Sequence, residues 1–184
     1  MSQFPVPTAG AVSDANRAIF EQLEAKLGFV PNLYATLAHS DDALGSYLTL
    51  QGANSSLSPT AKELVNLVVS HVNECEYCLA AHTGVSKMIG LDDAFVLAAR
   101  AGAPSGNAKL DALAAFARET VERRGKASAE TVEAAFAAGR SRAEIVDSIV
   151  LIGEKTVTSN LHGVIGVAVD FPAAPALDGT VRAA

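Results

Sequence analysis

The residues of this chain that are best suited to chemistry are two cysteines and a histidine in the segment NECEYCLAAH, residues 73–82. On an α-helix, Cys75, Cys78 and His82 lie within about 60° of one another, because one turn takes about 3.6 residues. His82 is then one turn from Cys78, so its imidazole can reach the sulfur. Two thiols at this spacing can close into a disulfide and reopen, and a neighbouring histidine supplies the base that makes a thiol nucleophilic. The pattern predicts a redox-active dithiol.

Three other interpretations of the cysteine pair stay open at this point. Two buried structural thiols are one, since free cysteine is among the most buried residue types. A permanent disulfide is another, although cytoplasmic proteins rarely keep one. The third is a zinc site that includes His71, but a continuous helix from His71 to His82 spreads its ligands over about 16 Å. One tetrahedral ion cannot span that distance, so zinc requires the helix to break at Asn73.

The predicted helix around the pair begins at Asn73, a favoured N-cap residue type with Glu76 at capping-box spacing. Cys75 then lies in the first turn, where free backbone N–H groups and the helix dipole stabilise a thiolate. The position at the helix start favours Cys75 as the more acidic thiol, whereas His82, one turn from Cys78, favours Cys78.

Glu63 is the acidic residue that the sequence associates with the pair, twelve residues before Cys75. It lies on a predicted helix that opens at Ser58-Pro59, with proline at the position it prefers in a first turn. If Ser58 is the N-cap, Glu63 lies deeper in the helix and is free for chemistry. If Thr60 is the N-cap, Glu63 completes a capping box and only stabilises the helix start. The sequence supports both assignments.

Composition and local signals predict an all-α fold. The 184 residues are rich in alanine, lack tryptophan and are only 5% aromatic; alanine favours helices, whereas strands favour β-branched and aromatic residues. We expect eight or nine helices in a single domain, 1–184, with an N-terminal arm at 1–12 and a C-terminal tail at 171–184. N-caps are predicted at Ser13, Asp41, Ser58, Asn73, Asp92, Asn107, Ser128 and Ser141, and helix stops at Gly28, Gly90, Gly102, Gly125 and Gly139.

Charge and hydropathy exclude several classes of function. The net charge is −6, and the absence of a basic cluster argues against nucleic acid and anionic membranes as partners. No apolar stretch approaches the roughly 18 residues of a membrane span, and the start has no signal-peptide pattern, so we expect a soluble, cytoplasmic protein. No phosphate-binding glycine motif follows a strand, so we expect no prosthetic cofactor. We also expect no metal, since the candidate zinc ligands are widely spaced and there is no second cysteine pair.

A weak internal repeat is visible in the pattern of caps and helices. Residues 58–82 and 128–162 each begin with a serine cap and end in a helix that carries a histidine. Lys155 and Thr158 occupy the positions in the second copy that the two cysteines occupy in the first. The repeat predicts chemistry in one half and a scaffold in the other.

Glu63, the segment SHVNECEYCLAAH at 70–82 and Gly90 together resemble the AhpD-like alkyl hydroperoxidase core of the carboxymuconolactone decarboxylase family. The spacing Glu-x11-Cys-x-x-Cys-x-x-x-His is more specific than an isolated cysteine pair. The similarity extends from GFVPN at 28–32 to DFP at 170–172, an ending typical of the peroxidase-related branch. The resemblance implies an orthogonal bundle of many helices that assembles as a trimer or hexamer.

The resemblance also implies a peroxidase cycle with assigned roles. Cys78 is implied to be the thiolate that attacks the hydroperoxide, and Cys75 to resolve the resulting sulfenic acid as a disulfide. His82 is implied to relay the thiol proton, and Glu63 to complete the relay. The implied substrate is an organic hydroperoxide, and the implied reductant is an external dithiol such as a lipoyl group or a thioredoxin-like protein.

The chain departs from the family pattern at Tyr77, where AhpD proteins that use a dedicated reductase carry a second histidine. A tyrosine is not a base near neutral pH, so it is expected to donate a hydrogen bond or to pack. His162 also matches a family position. We interpret it, together with His39 and His71, as structural.

Three functions compete at this stage. The first is a thiol-dependent peroxidase, an alkyl hydroperoxide reductase built on the four residues named above. The second is lactone decarboxylation, as the family name suggests, although that chemistry has no evident need for a cysteine pair. The third is a non-catalytic, redox-sensing homo-oligomer, since alanine-rich helices with apolar residues on several faces leave surface for other subunits.

Overall fold

The computed structural model describes residues 4–177, and within them the chain is helical, with no strand. After a 3-10 helix at Ala9–Ala11, nine α-helices follow, which confirms the predicted all-α fold. None of the helices in the described part is long and apolar enough to cross a membrane. The α-helices are α1 (Asp14–Leu27), α2 (Asn32–Leu37), α3 (Ala43–Gln51), α4 (Pro59–Val72), α5 (Glu76–Met88), α6 (Asp93–Ala101), α7 (Ala108–Glu122), α8 (Ala129–Ala137) and α9 (Arg142–Ile165).

The described residues form two compact units. Residues 4–54 and 160–170 form the first, in which Phe20, Leu44 and Tyr47 of α1 and α3 are buried together. Residues 55–159 and 171–177 form the second, and this unit holds the cysteine pair. The prediction of a single domain over 1–184 stays a prediction.

Helix α4 is the centre of the second unit. Its Val65, Leu67 and Val68 are fully buried, because the helix packs against α5, α6 and α7. Apolar burial of this kind is the main stabilising contribution to a helical core. The same helix carries Glu63 and Asn66 into the interior, so its packing fixes the position of two polar side chains.

Most of the predicted helix starts are confirmed by side-chain caps on backbone N–H groups. Ser141 and Glu144 form a complete capping box, with each side chain accepting from the other residue's N–H. The prediction of Asp41 as an N-cap is wrong, since Asp42 is the N-cap of α3. The hydroxyl of Ser40 accepts from the N–H groups of Asp42 and Ala43. Caps of the predicted kind occur at Ser13, Ser58, Asp92, Asn107 and Ser128.

The described part of the C-terminal tail packs within the second unit. The ring of Phe171 meets that of Tyr77 edge-to-face at 5.5 Å, and the guanidinium of Arg100 donates to the carbonyl of Pro175. In the predicted N-terminal arm, Ala9–Ala11 are helical. The rest of the arm and tail predictions, at 1–3 and 178–184, falls outside the described residues.

Candidate active site

The helix that carries the cysteine pair begins later than the sequence predicted. Asn73 is the C-cap of α4 and not the N-cap of the next helix, so the predicted capping box with Glu76 is also wrong. The chain turns sharply here: Glu74 adopts a left-handed φ of 52°, and the N–H of Cys75 donates to the carbonyl of Ser70 at 2.9 Å. Helix α5 starts immediately afterwards, with Cys75 itself as the N-cap.

Cys75 and Cys78 form a disulfide across the first turn of α5, with their Cα atoms 5.3 Å apart. Both are buried, with exposed fractions of 2% and 3%. The N–H of Cys78 donates to the sulfur of Cys75 at 3.2 Å, so Cys75 receives the capping hydrogen bond of the helix. The structure therefore brings the predicted pair together and distinguishes the environments of the two sulfurs.

Glu63 and His82 form a largely buried pair between α4 and α5, with side chains 9% and 12% exposed. The Nδ1 atom of His82 lies 2.8 Å from Oε2 of Glu63, and the other carboxylate oxygen accepts from the side-chain amide of Asn66 at 2.9 Å. The alternative role of Glu63, a capping box with Thr60, does not occur, because Ser58 caps α4. Both carboxylate oxygens are occupied, so the acid is held in one orientation towards the imidazole.

The charge state of Glu63 determines the tautomer of His82. Burial raises the pKa of Glu63, but the charge of His82, hydrogen bonds from His82 and Asn66, and the ammonium of Lys155 together lower it below its ordinary value. An ionised carboxylate only accepts hydrogen bonds, so Nδ1 of His82 carries the proton in this contact. Nε2 of a neutral His82 is then free to act as a base, one helical turn from Cys78.

Glu63→Gln is expected to destabilise the protein more at neutral pH than at acid pH. A carboxyl group whose pKa is lowered by folding stabilises the protein above its unfolded pKa, and this stabilisation is lost as the pH falls through the folded pKa. Urea unfolding of both proteins between neutral and acid pH measures the difference. A difference that stays constant, or grows as the pH falls, would contradict the assignment.

Helix α9 contributes three buried polar residues that the sequence did not identify as part of the site. The hydroxyl of Ser159 lies 3.8 Å from the sulfur of Cys78. The ammonium of Lys155 pairs with Glu154 at 3.2 Å, and both side chains are at most 5% exposed. The only sequence signal was the weak repeat, which placed Lys155 and Thr158 at the positions that correspond to the cysteines.

Lys155→Met is expected to destabilise the protein by about 3–5 kcal/mol, because it removes the cation of a buried ion pair. Urea unfolding followed by circular dichroism measures this. The matched control is Lys87→Met, since Lys87 pairs with Asp93 at 3.0 Å but both side chains are more than half exposed; its effect should be far smaller. Equal losses of unfolding free energy in the two variants would show that burial of the Lys155–Glu154 pair does not contribute to stability.

The remaining residues singled out in the sequence have structural contacts. Tyr77 is 2% exposed and packs on Phe171. The Nε2 atom of His39 lies 2.9 Å from the carbonyl of Pro5, and that of His162 lies 3.2 Å from the carbonyl of Val167. His71 is half-buried, and burial together with the charges of Arg100 and Arg118 lowers its pKa. The contacts of His39 and His162 agree with their structural interpretation, which for His71 stays a prediction.

The zinc interpretation is not supported by the arrangement of the side chains. The helix does break at Asn73, so the distance argument made from a continuous helix no longer applies. Even so, nowhere in residues 4–177 do three or more His, Cys, Asp or Glu side chains come together in a way that could hold a metal ion.

The fold and the site define an all-helical protein with a buried Cys-X-X-Cys disulfide next to a Glu–His pair. Residues 37–119, which include all four of these side chains, match the model of the carboxymuconolactone decarboxylase family. The match spans somewhat less than half of the chain and supports the family resemblance that the motif predicted. Among curated proteins, none matches the sequence significantly.

Solved structures share the fold over most of the chain. A peroxidase-related protein with an alkylhydroperoxidase AhpD core, from Ralstonia eutropha JMP134, is 21% identical with a TM-score of 0.81, covering 92% of each chain. A peroxidase-related protein from Silicibacter sp. TM1040 is 22% identical with a TM-score of 0.77, covering 98% of this chain and 94% of its own. The debrominase Bmp8 in complex with 2,3,4-tribromopyrrole is 15% identical with a TM-score of 0.75, covering 92% and 94%. At these identities the similarity establishes the fold alone.

Proposed function

We propose that this protein is a thiol-dependent peroxidase that reduces organic hydroperoxides. One observation carries the proposal: the Cys75–Cys78 disulfide lies at the start of α5, and His82, one turn further along α5, pairs with Glu63 of α4. A dithiol that cycles through a disulfide needs a base beside one sulfur, and His82, oriented by Glu63, is that base. The AhpD-like family and its peroxidase-related neighbours support the same chemistry.

The cycle begins with the reduced pair. His82 takes the thiol proton of Cys78, and the thiolate attacks the terminal oxygen of the hydroperoxide. The O–O bond breaks, the alkoxide takes a proton from His82 to leave as the alcohol, and Cys78 becomes a sulfenic acid. The thiol of Cys75 then attacks the sulfur of Cys78, which releases water and forms the disulfide seen in the structure.

An external dithiol must return the disulfide to two thiols, and it becomes oxidised to its own disulfide. We propose a lipoyl group or a thioredoxin-like protein for this step and no prosthetic cofactor. We also propose a homo-oligomer, a trimer or a hexamer. The exposed apolar residues on α9 support an interface with other subunits: Val146, Ile149, Val150 and Val157 are each about half exposed.

Steady-state turnover tests the proposal. The protein is mixed with cumene hydroperoxide and dihydrolipoamide, and the alcohol formed is quantified by chromatography. We expect catalytic formation of cumyl alcohol that depends on both thiols, so that a variant with Cys75→Ser and Cys78→Ser is inactive. No alcohol above the background of dihydrolipoamide alone, with this dithiol and with a thioredoxin system, would contradict the proposal.

The two competing functions predict different outcomes in the same samples. A lactone decarboxylase would convert a muconolactone even when both cysteines are replaced. A redox-sensing oligomer would change its mass between oxidised and reduced forms, as measured by light scattering, without turning over peroxide.

A further inference from the structure

The two sulfurs of the disulfide have different hydrogen-bond donors, and the difference runs against the roles proposed for them. Cys75, the N-cap of α5, accepts from the backbone N–H of Cys78 at 3.2 Å. This donor and the helix dipole favour a thiolate on Cys75. The attacking thiolate is proposed for Cys78, so that sulfur needs a donor from another part of the chain.

The side chain that touches Cys78 from another helix is Ser159 of α9. Its oxygen lies 3.8 Å from the sulfur of Cys78, and the residue is 6% exposed. In the oxidised protein this hydroxyl donates to the carbonyl of Lys155, one turn earlier in α9, at 2.9 Å. A serine hydroxyl has a single proton, and a disulfide sulfur is a weaker acceptor than a carbonyl. The observed contact therefore fits the oxidised state.

Reduction makes the sulfur of Cys78 a better acceptor than the Lys155 carbonyl for the Ser159 hydroxyl. A thiolate is charged, and hydrogen bonds to charged acceptors are about twice as strong as those between neutral groups. Rotation about the Cβ–Oγ bond of Ser159 is enough to redirect the proton from the Lys155 carbonyl to the sulfur. The carbonyl keeps a second donor, because the hydroxyl of Thr158 also bonds to it, at 3.0 Å. Redirecting Ser159 therefore leaves no buried group without a partner.

We propose that Ser159 is a further catalytic residue, whose hydroxyl donates a hydrogen bond to the thiolate of Cys78 in the reduced protein. The role deepens the proposed peroxidase function and rests on it, since Cys78 matters as the attacking sulfur. The hydrogen bond itself is a property of the reduced site and can be measured without any peroxide.

The test uses Ser159→Ala and the matched control Thr158→Val, both in a Cys75→Ser background, so that only the Cys78 thiol titrates. Each substitution removes one buried hydroxyl that bonds to the Lys155 carbonyl, but only Ser159 touches the sulfur. Alanine is a better helix former than serine, so α9 should be retained. The thiolate is followed by its ultraviolet absorbance as a function of pH, and by the rate of alkylation with iodoacetamide.

We expect Ser159→Ala to raise the pH at which Cys78 ionises by about one unit, because the donor to the charged form is lost. Thr158→Val should leave the titration unchanged, and Ser159→Thr, which keeps a hydroxyl, should restore it. With both cysteines present, the reaction of reduced Ser159→Ala with hydroperoxide should slow by about three- to tenfold near neutral pH. An unchanged titration in Ser159→Ala, or an equal shift in Thr158→Val, would overturn the proposal. A shifted titration in a protein that does not reduce hydroperoxide would instead reject the peroxidase function and leave the hydrogen bond standing.

Discussion

Cys78→Ser is expected to abolish hydroperoxide reduction, lowering the rate by at least about a thousandfold. The reaction needs a thiolate that can attack the O–O bond, and a serine hydroxyl is not ionised near neutral pH. The sulfur of Cys78 is the one with Ser159 against it and His82 one turn away. Stopped-flow mixing of the reduced variant with cumene hydroperoxide, followed by product analysis, measures the loss.

Cys75→Ser is the matched control for this prediction, because it removes the other sulfur of the same disulfide. The variant should still form one alcohol per chain in a single turnover, and Cys78 should end as a sulfenic acid that dimedone traps. The opposite result, an active Cys78→Ser and an inactive Cys75→Ser, would reverse the two roles. It would mean that the helix N-terminus, and not the histidine, selects the attacking thiol.

His82→Gln is expected to lower the rate of hydroperoxide reduction by about a hundredfold or more near neutral pH. Glutamine can still hydrogen-bond to Glu63 but cannot take the thiol proton or return it to the alkoxide. The loss should shrink at high pH, where Cys78 ionises without help. A profile of rate against pH for the single-turnover reaction measures both effects.

His39→Gln is the control for the imidazole, since His39 is exposed and its contacts are with Phe4 and Pro5. This variant should react as fast as the unmodified protein. An equal loss of rate in His39→Gln and His82→Gln would contradict the role proposed for the Glu63–His82 pair. So would a His82→Gln deficit that does not change with pH.

The elements of the fold were predictable because their signals are local. Ser58 followed by Pro59 defines the start of α4, and this start excludes the capping-box alternative for Glu63. The catalytic role of Glu63 stays a prediction. The motif also predicted the association of the cysteines with His82, since one helix carries all three. Signals that act within one or two turns can be read directly from the sequence.

The sequence missed some features of the site because two local signals compete there, and others because they depend on tertiary packing. Asn73 is a residue type that is favoured at N-caps, but α4 ends there, where the N–H of Cys75 donates to the Ser70 carbonyl. The N-cap of the next helix is therefore Cys75, two residues later than predicted. Ser159 is 81 residues from Cys78 in the sequence, so only tertiary packing could reveal the contact. The burial of Lys155 likewise has no signature in composition, since it depends on how α9 packs.

A single-turnover measurement shows whether the cysteine pair reduces a hydroperoxide. The protein is reduced, freed of reductant and treated with one equivalent of cumene hydroperoxide, and free thiols and cumyl alcohol are then counted beside Cys78→Ser. We expect each chain to lose both thiols as one alcohol forms, and we expect Cys78→Ser to keep its remaining thiol and to form no alcohol. Unchanged thiols together with intact hydroperoxide would contradict this expectation.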